Sequence, residues 1–223
     1  MIKPDKIIRA KRKTMSIKVV SSGEVVVRAP YHYSEKKIIE LLNTKEDWVK
    51  THQARLEKNR VKLPKGSLDG YVFPLFGEEW TIKLFDGNKL VENHTEKIVY
   101  IPKESMEKGT KRLVKWLKER LKEQLLVFLS IRTQQMGTTY GKLEIGSART
   151  KWGTCSRIND LRFTFRLAFM PPPVIDYLVV HEMAHIFERN HGKKFWAIVE
   201  KYRPDYENCL KYLKVHSSLM NLF

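Results

Sequence analysis

Apolar positions recur at two spacings along this chain, and the switches between them mark out its elements. Lys6 to Lys13, Ser16 to Val20 and Val25 to Ala29 alternate apolar with polar residues and predict short strands, the last two joined as a hairpin through Ser22-Gly23. Ser34 is placed to cap a helix carrying Ile38, Ile39, Leu41 and Leu42. Thr44 with Asp47 reads as a capping box opening a second helix that reaches Asn59. Val61 to Gly70, rich in turn formers, reads as a loop, and Tyr71 to Phe76, Glu79 to Phe85 and Lys97 to Ile101 predict three more strands. From Met106 to Gln135 the period becomes helical, with Leu113, Trp116, Leu117, Leu121, Leu125, Phe128 and Leu129 forming a core stripe. Beyond Gly137, Lys142 to Arg149 and Leu161 to Leu167 alternate again as strands. No internal repeat or low-complexity stretch interrupts the pattern.

Pro171-Pro172-Pro173 predicts the start of another helix, because proline suits a first turn and no deeper position. Asp176 is expected in that first turn, facing the positive end of the helix dipole. The helix should end near Glu188 to Asn190, with Asn190 left-handed and Gly192 relieving the turn. Lys193 to Tyr202 then reads as a further helix with Phe195, Trp196 and Val199 inward. The fold class predicted is α+β. Residues 1–102 form an N-terminal β-rich α+β region and residues 103–223 a second region, unless both belong to one continuous domain.

The chemistry is concentrated in His181-Glu182-Met183-Ala184-His185, followed by His191. On a helix His185 lies one turn above His181 and about 40° round from it, so both imidazoles can face one metal ion. Glu182 flanks that face without having to ligate, where a general base for a metal-activated water belongs. Val179, Val180, Met183, Ala184, Ile186 and Phe187 fall on the opposite arc, so the core-facing stripe does not need the histidines. The H-E-x-x-H spacing arises by accident in about one chain of this length in a hundred, so its context has to carry the rest. A chain turning back after Asn190 can bring His191 beneath the helix as a third ligand, leaving one position open, as a catalytic zinc requires. Glu188, a further turn along the same face, and Glu200, on the next helix, are the alternatives; neutral imidazole favours His191. Tyr177, one turn before His181, is a candidate either to donate to an oxyanion or to orient His181. Leu161 to Leu167 is expected beside the metal helix, with an edge that could pair with an extended peptide.

The flanking residues carry a resemblance. Lys151-Trp152-Gly153-Thr154-Cys155-Ser156 resembles the tryptophan-glycine-serine/threonine-cysteine element that precedes the zinc helix in the YgjP-like metallopeptidase-domain family. Val174 to Glu182 is similar to that family's helix, and Asn190-His191 with Phe195-Trp196 to its third-ligand turn. The match runs through residues 142 to 203, with similarity in Arg9 to Pro30 and the helix ending in Trp48. Thr154 stands where serine is commoner. The SprT-like proteases share the layout more distantly. The metzincins place their later histidine at the same six-residue offset, but with a glycine where this chain has Glu188. The resemblance implies a zincin-like metallohydrolase domain, one catalytic zinc ion held by His181, His185 and His191, and Glu182 as base.

Composition then limits the setting. No apolar run approaches membrane-spanning length and the N-terminus lacks a signal-peptide core, so no membrane association is expected. Two cysteines, Cys155 and Cys209, make no disulfide framework, which suits the cytoplasm. The net charge of +17 is uneven. Residues 1–65 hold 17 basic and 7 acidic side chains, 66–102 hold 3 and 6, and 103–223 hold 22 and 12. Such a surface attracts anions, and Arg149, Lys151 and Arg166 lie on the segments leading into the site. The leading expectation is therefore a zinc-dependent metallopeptidase acting on protein or peptide. The alternatives are a metal-dependent nucleoside-triphosphate phosphohydrolase, and an SprT-like protease that associates weakly with nucleic acid through its basic surface. The absence of a glycine-rich phosphate loop argues against the first alternative, and the absence of a recognised nucleic-acid module against the second.

Overall fold

The computed structural model describes residues 2–20, 23–58 and 66–223, so Ser22 of the expected hairpin, Asn59 and residues 61–65 of the expected loop lie outside the described residues. The architecture is mixed α+β, in two compact units: residues 1–61 with 216–221, and residues 62–215 with 222–223.

In the first unit, β1 (Lys6–Ala10), β2 (Ser16–Val19) and β3 (Val25–Pro30) form a sheet of order β1-β3-β2, with β3 parallel to β1 and antiparallel to β2. Alternation places Val25, Val27 and Ala29 on one face of β3. They share a buried cluster with Ile38 and Leu42 of α1 (Glu35–Asn43) and Val49 of α2 (Glu46–Lys58). Ser34 caps α1 as expected, its hydroxyl oxygen accepting the Lys37 N–H at 3.2 Å. Thr44 is different. It closes α1, donating its hydroxyl to the Leu41 carbonyl at 2.7 Å, and so does not open α2. An α1 only nine residues long leaves Thr44 at its last turn, where hydroxyl-to-carbonyl bonding wins over capping.

The second unit opens with β4 (Val72–Leu75), β5 (Glu78–Phe85), β6 (Val91–Asn93) and β7 (Ile98–Pro102), in the order β4-β5-β7-β6. Strand β6, three residues long, is too short to show a period in sequence. The long helix α3 (Met106–Met136) starts at Ser105 and stops at Gly137, which takes the left-handed conformation at φ 63°. Leu113, Trp116, Leu117, Leu121, Leu125 and Leu129 are buried as the stripe predicts, and Phe128 is half-buried.

A second small sheet follows: β8 (Leu143–Gly146), β9 (Gly153–Cys155) and β10 (Leu161–Thr164), ordered β8-β10-β9. The strand expected to run to Leu167 ends at Thr164, and Phe165–Phe169 makes a buried 3-10 turn. All five residues of that turn are buried, so the apolar run does not itself mark where the strand ends. Because β10 is the middle strand, both its edges are paired. The edge strand beside the next helix is β9.

Helix α4 (Pro172–Phe187) begins with Pro172 at its first position, followed by α5 (Lys193–Tyr202) and α6 (Tyr206–Val215). Two local expectations fail on α4. Counting from Pro172, Asp176 falls in the second turn, and it answers two guanidinium groups rather than the dipole. Arg132 of α3 pairs with both its oxygens, and Arg203 after α5 donates to Oδ2 at 2.5 Å. At the other end the helix is left through Glu188 in extended backbone, φ −137°, and neither Asn190 nor Gly192 has a positive φ. The inward stripe holds at Val179, Val180, Met183 and Ala184, whereas Phe187 is exposed, since the last turn projects past the core.

Asp176 is 5% exposed, and removing it takes the carboxylate from the largely buried Arg132 and leaves Arg203 with Asp205 alone. Losing one partner of such a cluster costs about 3–5 kcal/mol. Asp176→Ala should therefore lower the unfolding free energy obtained from urea titration by an amount in that range, and an unchanged value would show the arginines to be solvated.

Candidate metal centre

Helical spacing on α4 puts His181 and His185 on one face, and the turn back into α5 returns His191 to them. One nitrogen from each of the three imidazoles lies within 4.8 Å of the others, and Nε2 of His191 is 3.1 Å from Nε2 of His181. Tetrahedral zinc with Zn–N bonds of 2.0–2.1 Å sets its ligand nitrogens about 3.3 Å apart. Three imidazole donors at such separations fit a metal ion. Glu188 offers its backbone, not its carboxylate, and Glu200 is exposed on α5, so neither alternative third ligand joins the cluster.

The far nitrogens of two rings are already engaged. The Tyr177 hydroxyl lies 3.2 Å from His181 Nδ1, and His185 Nδ1 lies 3.2 Å from the Glu188 carbonyl. A carbonyl only accepts, so His185 carries its proton on Nδ1 and leaves Nε2 with its lone pair free. On His181 the contact with Tyr177 engages Nδ1 and leaves Nε2 facing His191. Tyr177 thus orients a histidine rather than reaching an oxyanion. Phe195 of α5 packs against all three rings, at centroid distances of 4.9 Å to His181 and 4.6 Å to His185 and His191. Trp196 lies 5.9 Å from His191 and stacks on Tyr206 of α6.

Burial sets the electrostatics. Desolvation, helped by the neighbouring histidines, takes His181 down to about 3, and burial also lowers His185, so these two rings stay neutral at ordinary pH. Glu182 is pushed up to about 7 by burial, against a smaller opposing pull from Lys151. Its side chain lies against Gly153 of β9: a Cβ at that position would meet Glu182 Oε1 at 2.7 Å and Cγ at 2.8 Å. The strand passes so close to the helix that only glycine leaves the carboxylate its place.

Other charged candidates are occupied elsewhere. Arg166 is 1% exposed, donates to the carbonyls of Leu222, Phe223 and Ser147, and is lowered to about 10, chiefly by desolvation. Arg149 donates to Phe223. Arg149 and Lys151 are both exposed, and of the three only Lys151 acts on Glu182. Cys155 is half-buried, its thiol raised by desolvation, with Arg189 Nη1 at 3.4 Å. Two contributions went unread in the sequence, Gly153 beside the carboxylate and Arg189 beside the ligands. Gly153 could have been found, since it already sits in the tryptophan-glycine element; Arg189 carries no pattern.

Residues 13–216 match the YgjP-like, metallopeptidase domain family. The protein is a metal-dependent hydrolase of mixed α+β fold. It belongs to the YgjP-like metallopeptidase family. No curated protein matches the chain. Among solved structures it is similar to the metallopeptidase zymogen abylysin of Pyrococcus abyssi, at 18% identity and TM-score 0.38, over 40% of this chain and 92% of that one. The jannalysin zymogen of Methanocaldococcus jannaschii is comparable, at 20% identity and TM-score 0.35, over 42% and 94%.

The raised Glu182 has a measurable consequence in metal-free protein. Its unfolded value is the ordinary 4.5, so between there and about 7 the folded state holds a proton that the unfolded state has released. Stability from this group is full below pH 4.5 and declines as the pH rises towards 7. Relative to Glu182→Gln, metal-free wild type should lose about 3 kcal/mol across that window by urea unfolding. Parallel pH profiles for the two proteins would mean a hydrated, ionised carboxylate.

Proposed function

We propose that His181, His185 and His191 hold one catalytic zinc ion and that Glu182 is the general base of a peptidase. The convergence of three imidazole nitrogens within 4.8 Å, beside a buried carboxylate, carries this reading. Zinc would supply Lewis acidity, activating water and polarising the attacked carbonyl. The protein's own groups do the rest. Tyr177 and the Glu188 carbonyl hold the His181 and His185 rings in the ligating orientation. Glu182, with a proton affinity near neutrality, takes the proton from water during attack and returns it to the departing amine. Phe195 keeps water from the back of the imidazoles. Edge strand β9, which pairs only with β10 among the described strands and runs beside Glu182, offers backbone groups to an extended peptide.

The substrate class in this reading is a protein or peptide segment able to adopt strand geometry. Cys155 and Cys209 are both free, consistent with a reducing cytoplasm, and no described helix is long and apolar enough to cross a membrane.

The deciding assay offers zinc-loaded wild type and Glu182→Gln an unstructured protein and, separately, nucleoside triphosphates. Wild type should cleave the protein, and the variant should retain one zinc while losing about 10²–10⁴-fold in rate, the usual contribution of a general base. Phosphate release by wild type without proteolysis would overturn the peptidase reading.

Gly153→Ala probes the carboxylate's placement separately. A misplacement of about 1 Å costs on the order of 10²-fold, so this variant should lose that much activity with its zinc content intact. Full activity would mean that Glu182 can shift without penalty.

A further inference from the structure

The loop between α4 and α5, which delivers His191, is held by one exposed side chain. Arg189 reaches across to the β9–β10 turn, and its guanidinium spreads over that turn. Nη1 donates to the Ser156 carbonyl at 2.7 Å and lies 3.4 Å from Cys155 Sγ. Nη2 donates to Asn159 Oδ1 at 2.6 Å and to the Arg157 carbonyl at 3.3 Å.

The surface it grips is built independently of it. Ser156 Oγ accepts the N–H groups of Ile158 and Asp160 at 3.3 and 3.0 Å, and Ser156 N–H donates to the Asp160 carbonyl at 2.9 Å. Asn159 adopts a left-handed φ of 63°, which asparagine tolerates, and aims its side chain back at Arg189. On the other side, Arg189 stands between Glu188, whose carbonyl holds His185, and His191 two residues on. The β9 strand entering this turn is the one that bounds Glu182 through Gly153.

We infer that Arg189 is a positioning residue: it locks the loop bearing the third histidine onto the β9–β10 turn, so that the ligand triad and the base share one rigid frame. The inference rests on the three-histidine reading above. It predicts a fork-specific effect, because a lysine ammonium is a point charge and cannot span the Ser156 carbonyl and Asn159 Oδ1 as the planar guanidinium does.

Metal-free protein titrated with Co²⁺ provides a readout independent of catalysis, through both affinity and the visible spectrum of the bound ion. Arg189→Met should bind Co²⁺ at least about 10-fold more weakly than wild type, in the range typical of lost outer contacts to a metal site, with an altered spectrum. Arg189→Lys should not restore either property, and Asn159→Ala, which leaves the arginine in place, should show a smaller loss in the same direction. Arg162→Met, whose arginine pairs with Glu144 on the same sheet, should bind like wild type. Wild-type affinity and spectrum in Arg189→Met would overturn the proposal. Should that variant fail to fold, wild-type behaviour in Asn159→Ala would overturn it equally. Wild-type protein that takes up no Co²⁺ at all would instead remove the three-histidine reading itself, and this inference with it.

Discussion

The closeness of β9 to α4 is the constraint from which the site's chemistry follows. A strand with a side chain at position 153 could not pass where Gly153 does, because Glu182 occupies the space a Cβ would need. That approach takes the carboxylate out of water, and loss of hydration raises its proton affinity. The same approach brings an unpaired strand edge alongside the residue that would do the chemistry. Proximity therefore sets the protonation of Glu182 and the place where a peptide backbone could pair, through one glycine.

A second layer of organisation keeps α4 where β9 can meet it. Asp176 ties α4 to α3 through Arg132 and to the end of α5 through Arg203, which also pairs with Asp205. Arg132 reaches the Tyr202 carbonyl as well. Buried charge clusters of this kind are weak sources of net stability compared with apolar packing, but they tolerate few alternative arrangements. Here the cluster fixes the helix that carries His181, Glu182 and His185 relative to the helix that carries Phe195.

Much of this was legible in the residue pattern, and the exceptions have physical causes. Period alone located α3 almost to its ends and α5 to the residue, because long amphipathic stripes average out local noise. The three histidines were legible from spacing and from the turn that follows, whereas Gly153 was visible only as part of a motif, without its role. Strand β9 was missed since three residues cannot display a period, and β10 was overextended into a 3-10 turn whose residues are all buried. Thr44 and Asp176 were misassigned for a common reason. Each was read from its own segment's capping logic, while its actual partner lies outside the helix expected to use it: a preceding carbonyl for Thr44, arginines distant in sequence for Asp176. Arg189 bonds four groups more than thirty residues away or nearly so, which no local pattern encodes.

The proposed ligand set also bears on how far a metal's influence would spread. All three histidines fall within eleven residues, so a bound ion would close only a short loop. Fixing so brief a segment withdraws little conformational freedom from the unfolded chain, and the entropic gain from such a cross-link is correspondingly small. The buried stripe of α3 and the ion cluster around Asp176 involve none of the three ligands. An ion bound there would thus stabilise the fold through its affinity for the native state rather than by closing a long loop, and its contacts would be confined to α4 and the turn into α5.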